Sequence, residues 1–89
     1  MVEPYRSTPV FTEATLSAAL QARHTTKAGV WGMVRVLEGQ VRLTYLDPPS
    51  EILLDPDTAG PLLPEQPHFV EAVGPMKMRV DFYSEPPGG

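Results

Sequence analysis

Residues 30–46 read VWGMVRVLEGQVRLTYL. In the second half, Val41, Leu43 and Tyr45 alternate with Arg42 and Thr44. A period of two sets one row of side chains on a core and the other in water, which is the signature of a half-buried strand. Val30–Leu37 is a second β-rich run. Glu38-Gly39 between them has the make-up of a two-residue hairpin, with glycine available for positive φ. The pattern recurs near the end of the chain, where Met76, Met78, Val80 and Phe82 alternate with Lys77, Arg79, Asp81 and Tyr83. There, Gly74-Pro75 is expected to turn the chain out of a strand over His68–Val73.

On either side of these runs the chain reads as a succession of short extended pieces. Met1–Pro9 is extended and turn-like, Arg23–Lys27 is expected to be a strand, and Asp47-Pro48-Pro49-Ser50 is a turn. Glu51–Leu54 is a short strand, Asp55–Gly60 a loop, and Pro61–Glu65 a brief extended piece. One short helix is expected near the N-terminus, Leu16–Ala22, capped by Thr15. Eleven prolines and seven glycines in 89 residues suit many turns and short strands, because proline is excluded from helix interiors and central ladders. The fold class expected is all-β, a small cupin-type antiparallel barrel or sandwich of seven or eight strands. Residues 1–84 are expected to form a single domain and 85–89 a disordered Pro/Gly tail.

Composition narrows the function classes. The net charge is −4, and the Lys and Arg residues are scattered singly, so no basic stripe can track phosphates and nucleic acid is not expected as a partner. Met1–Thr12 has no apolar core of a signal peptide, and no apolar run approaches membrane-spanning length. A soluble cytoplasmic protein is the expectation. With no cysteine, neither a disulfide nor a thiolate metal site is available. Nothing marks a nucleophile elbow, a Ser/His/Asp trio or a glycine-rich phosphate loop.

Two motifs carry a resemblance. His24, Thr26, Lys27, Gly29, Trp31 and Gly32, followed by Val36, Leu37 and Gly39, fit the pattern H-x-T-K-x-G-x-W-G…V-L-x-G. Pro64, His68, Val70, Glu71 and Ala72 fit P-x-x-x-H-x-V-E-A, and Phe82-Tyr83 is a third, weaker match. In these stretches, spanning about Pro4 to Tyr83, the chain resembles the non-methyltransferase domain of the tellurite-resistance protein TehB and its stand-alone YeaR-like relatives. The resemblance implies a cupin-type fold and an association with tellurite or oxyanion stress. It does not bring methyltransferase activity or S-adenosylmethionine, since there is no G-x-G-x-x-G and no room for a βαβ core.

The general cupin metal pattern is met less well. Counted back from Gly39, its Glu position falls on Gly32 and its first His positions near Thr25–Ala28, with His24 slightly early. In the second motif His68 is kept, and Ala72 stands where Asn is expected. His24 and His68, the only histidines, read either as ligands of a divalent metal such as Zn²⁺ or Fe²⁺ or as hydrogen-bonded barrel-mouth residues. Glu71, Asp81 and Glu65 are the candidate carboxylates. Glu71 would need a bulge to join His68, being three residues along a strand, and it reads alternatively as an ion-pair partner of Lys27 or Arg35. Lys27 and Trp31 are candidate ligand contacts, with exposed turn and buried core as their plainer readings.

Three functions fit these residues. The first is a binding module whose mouth holds a small molecule or anion. The second is a structural homodimer, suggested by the small core. The third is a metal-dependent enzyme with a two-His-one-carboxylate site.

Overall fold

A computed structural model of the chain describes residues 3–16 and 25–86. Its elements are six strands: β1 (Arg6–Ser7), β2 (Phe11–Thr12), β3 (Trp31–Leu46), β4 (Pro49–Leu54), β5 (Gly60–Leu62) and β6 (His68–Tyr83). They form one antiparallel sheet in the order β1-β6-β3-β4, with β2 also on β6 and β5 also on β3. The architecture is all-β and cupin-like, as the alternation and the proline density imply.

The two hairpins expected at Glu38-Gly39 and Gly74-Pro75 are not turns. Each glycine lies inside a 16-residue strand, and the two strands pair with each other along almost their whole length, from Trp31↔Tyr83 to Tyr45↔His68. The register shifts at Val36/Glu38 and Glu38/Gln40, so β3 and β6 bend at the same level. Gly39 takes φ +75° and Gly74 φ +76°. Positive φ serves a bulge as well as a hairpin, and alternation on either side of a glycine cannot tell which of the two occurs.

The bend folds the sheet onto itself. Val34, Val36, Met76, Met78 and Val80 on one limb and Val41, Leu43 and Val70 on the other enclose one core with Leu54, Leu62 and Leu16. Burying a Leu or Val fully contributes about 1.5–3 kcal/mol each. The turn expected over Asp47-Pro48-Pro49-Ser50 is confined to 47–48, since Leu46 pairs with Pro49 across it and Pro49 and Ser50 already belong to β4.

Of the expected helix only Leu16 falls within the described residues; 17–22 lie outside them. The preceding residues form a turn closed by Leu16 N–H donating to Thr12 O at 2.9 Å. Arg23 and His24 lie outside the described residues too. The rest of the strand expected over Arg23–Lys27 reduces to a single parallel bridge, Thr26 to Pro64. No helix among the described residues is long and apolar enough to cross a membrane.

Candidate anion-binding cleft

The segment after residue 24 is held by its own turn and by a neighbouring loop. Val30 N–H donates to Lys27 O at 3.0 Å, closing a four-residue turn in which Gly29 takes φ +76°. That is the position where a type II turn favours glycine. Thr26 Oγ1 donates to Leu63 O at 3.1 Å, and Glu65 N–H donates to Thr26 O at 3.1 Å. Thr25, Thr26 and Lys27 are thereby fixed at the end of the domain where β1 lies beside β6.

On the other side, Tyr5 N–H donates to Phe82 O at 2.9 Å and Arg6 is the register partner of Phe82. Directly opposed residues on neighbouring strands share a face, so Arg6 projects on the side of Phe82. A cleft of about 220 Å³ opens between these two walls, lined by Arg6, Thr25, Thr26 and Lys27 together with Tyr5, Val30 and Phe82. Among the described residues its lining carries two cations, Arg6 and Lys27, and three hydroxyl groups, those of Tyr5, Thr25 and Thr26, and none of these lining residues is acidic.

Among the described residues of the expected site, Lys27 alone lines this cleft. His68 is fully buried at the start of β6, two positions before core residue Val70 and opposite Tyr45. Its Nδ1 lies 2.9 Å from Gln66 O. A carbonyl can only accept, so Nδ1 carries the proton in that contact. Glu71 is exposed on the opposite face, 3.9 Å from Arg42. Its ion-pair partner is Arg42 rather than Lys27 or Arg35. Regular alternation carries Glu71 away from His68, and the bulge needed to join them comes later, at Gly74.

Asp81 also faces away from the core, yet its side chain is only 4% exposed. It receives hydrogen bonds from Ser7 Oγ at 2.7 Å, Arg79 Nε at 2.9 Å and Arg35 Nε at 3.3 Å. Burial alone would raise its pKa. The Ser7 and Arg79 hydrogen bonds, the Arg79 charge and the Arg35 hydrogen bond outweigh burial and hold the carboxyl below its ordinary value. Arg35 Nη2 donates in turn to Tyr83 Oη at 3.2 Å. Trp31, opposite Tyr83, is half-buried and outside the core cluster. Glu65 is exposed, with φ 61° in the loop before β6.

Among the described residues no three His, Asp or Glu side chains converge as a metal ion would require. The expected pairing of His24 with His68 and one carboxylate involves a residue, His24, that lies outside the described residues; among the rest, His68, Glu71, Asp81 and Glu65 do not come together as a ligand set.

Arg6, Tyr5, Thr25 and Phe82 were not legible as site residues. Arg6 and Lys27 are distant in sequence, and only the pairing of a two-residue β1 with the end of β6 brings them to one cleft. The available signal was Phe82 in the third family-like match.

Comparisons with known proteins agree with this architecture. The sequence profile of the TehB-like domain matches residues 6–80. The chain is 34% identical over 74 residues to the "Probable S-adenosyl-L-methionine-dependent methyltransferase TehB" of Haemophilus influenzae strain 10810, covering 78% of this chain. It spans about a quarter of that relative's length (26%), so the activity in that name is stated of the whole relative. The crystal structure of TehB from Haemophilus influenzae superposes with TM-score 0.82 at 29% identity, over 90% of this chain and 30% of the other. A crystal structure of a protein from Escherichia coli strain K12 matches end to end, with TM-score 0.84, 26% identity and coverage of 96% and 92%. The structure of Fe(II) HppE, at 20% identity and TM-score 0.63 over 83% of this chain and 40% of the other, shares the cupin-like fold alone. With the family profile spanning most of its length, the chain belongs to the TehB-like domain family.

Proposed function

We propose that this domain binds a small anion in the cleft between β1 and the Lys27–Val30 turn. One observation carries the reading. Seven Lys and Arg residues are present, and six are among the described residues, Arg23 being the exception. Four of those six sit beside carboxylates: Arg35 and Arg79 at Asp81, Arg42 at Glu71, and Lys77 at Glu38. The two without a carboxylate beside them, Arg6 and Lys27, both line the cleft. In a chain of net charge −4, leaving two cations uncompensated in one concavity makes it a local sink for negative charge.

Arg6 offers a planar fork of donors, Lys27 a mobile point charge, and the Thr25 hydroxyl a further donor. Thr26 already spends its hydroxyl proton on Leu63 O and keeps its lone pairs. The cations come from the chain itself, so the reading needs no metal. Oxyanions, tellurite among them, are the class suggested by the family resemblance.

Calorimetric titration with phosphate, selenite and tellurite tests the proposal. Saturable binding is expected, weakened about tenfold or more in Arg6→Ala and in Lys27→Ala, since a hydrogen bond to a charged group contributes about 1.5–3 kcal/mol. Arg42→Ala, remote from the cleft, is expected to bind as the wild type does. Equal affinities in all four proteins would overturn the reading.

A further inference from the structure

The cleft is too large and too apolar for a bare oxyanion. Its volume of about 220 Å³ is roughly seven times the ~30 Å³ that one water occupies in the liquid. A tetrahedral oxyanion would fill on the order of two or three such shares. An anion seated on Arg6, Lys27 and Thr25 would leave Val30, Phe82 and Tyr5 facing empty space or water. Phe82 is partly buried and packed against the core as well as lining the cleft, so it forms one of its walls. Tyr5 is 56% exposed and forms the rim.

Polar groups grouped at one part of a concavity with apolar and aromatic side chains across the rest are the arrangement that orients a small organic ligand. We infer that the ligand is an organic anion, a carboxylate or phosphate ester carrying a compact apolar or aromatic body of roughly ten non-hydrogen atoms. Its head would meet Arg6, Lys27 and Thr25. Its body would lie on Phe82 and Val30, with the Tyr5 ring closing over it. Aromatic rings favour offset or edge-to-face contact with such a body. This rests on the anion-binding reading and adds the ligand's chemical class to it.

Three probes separate the two ideas: benzoate, acetate with the same head and almost no body, and benzyl alcohol with the body and no charge. Each is titrated into the full chain with NMR detection of the backbone amides. Benzoate is expected to bind at least about tenfold more tightly than either of the others, and to shift the amides of residues 5–6, 25–30 and 82. Tyr5→Ala, at an exposed position that leaves the core intact, is expected to reduce the benzoate advantage over acetate severalfold without changing acetate. Phe82→Leu is expected to do the same. Arg6→Ala is expected to weaken benzoate and acetate alike.

If benzoate and acetate bind equally and both depend on Arg6, the organic-body inference is overturned while the anion reading stands. If benzyl alcohol binds as well as benzoate and Arg6→Ala changes nothing, or if no anion binds at all, both are overturned.

Discussion

Asp81 receives three side-chain donors while its own oxygens are almost out of solvent. Replacing it with Asn keeps the volume and removes the charge that holds Arg35 and Arg79. The expected cost is about 2 kcal/mol, within the range for a buried, charge-assisted hydrogen-bond group, although both arginines are more than a third exposed and solvent screens their share. Because the folded pKa of Asp81 lies below its unfolded value, its stabilisation is present above about pH 4 and is lost as pH falls through the lowered folded value. Wild-type stability should therefore fall in that acid range, and Asp81→Asn should flatten the fall. Urea melts from pH 6 down to pH 2.5 check this. Parallel profiles for the two proteins would show that Asp81 is not the responsible group. The alternation in β6 places Asp81 on the face away from Met78, Val80 and Phe82. What the sequence could not show is that two arginines and Ser7 cover that face, because Arg35 and Ser7 reach it only through strand pairing.

The bend in β3 and β6 positions everything else. At Gly39 a Cβ would run into the Pro75 carbonyl oxygen and come within 3.1 Å of Met76 Cα, in addition to requiring φ +75°. Side chains pay for a left-handed conformation and here would also displace backbone. Gly39→Ala is expected to cost about 2 kcal/mol or more, a fall in Tm on the order of 10 °C for a domain of this size. Thermal melting followed by circular dichroism measures it; an unchanged Tm would mean that the two strands do not cross at Gly39 as described. Across the same bend, Met76 N–H donates to Glu13 Oε1 at 3.0 Å, which holds the Glu13 carboxyl below its ordinary value. A glutamate far upstream thus satisfies an amide at the bend. The strand rows on either side of both glycines were legible from alternation. Their continuity was not, since a bulge and a hairpin place glycine in the same backbone region.

Among the described residues, four of the six cations sit beside carboxylates and the other two line one cleft. Glu38, Glu71 and Asp81 are each matched by a cation, while the surface around Arg6 and Lys27 carries none of these acids. The family and the all-β class were legible in the sequence because they rest on local patterns. Of the described residues of the candidate site, Lys27 alone coincides with the cleft, because the other half of the cleft is delivered by long-range pairing of β1 with β6. His68, singled out by its motif, lies in the core-facing row of β6 instead. A rival position for an anion exists on the outer face, where Arg35 and Arg79 are direct register partners, although Asp81 already compensates them. Crystals soaked in 4-bromobenzoate decide between the two faces through the anomalous signal of bromine. A peak is expected over Phe82 and Val30 with the carboxylate between Arg6 and Lys27; a peak at Arg35 and Arg79 with an empty cleft would contradict anion binding between β1 and the Lys27–Val30 turn.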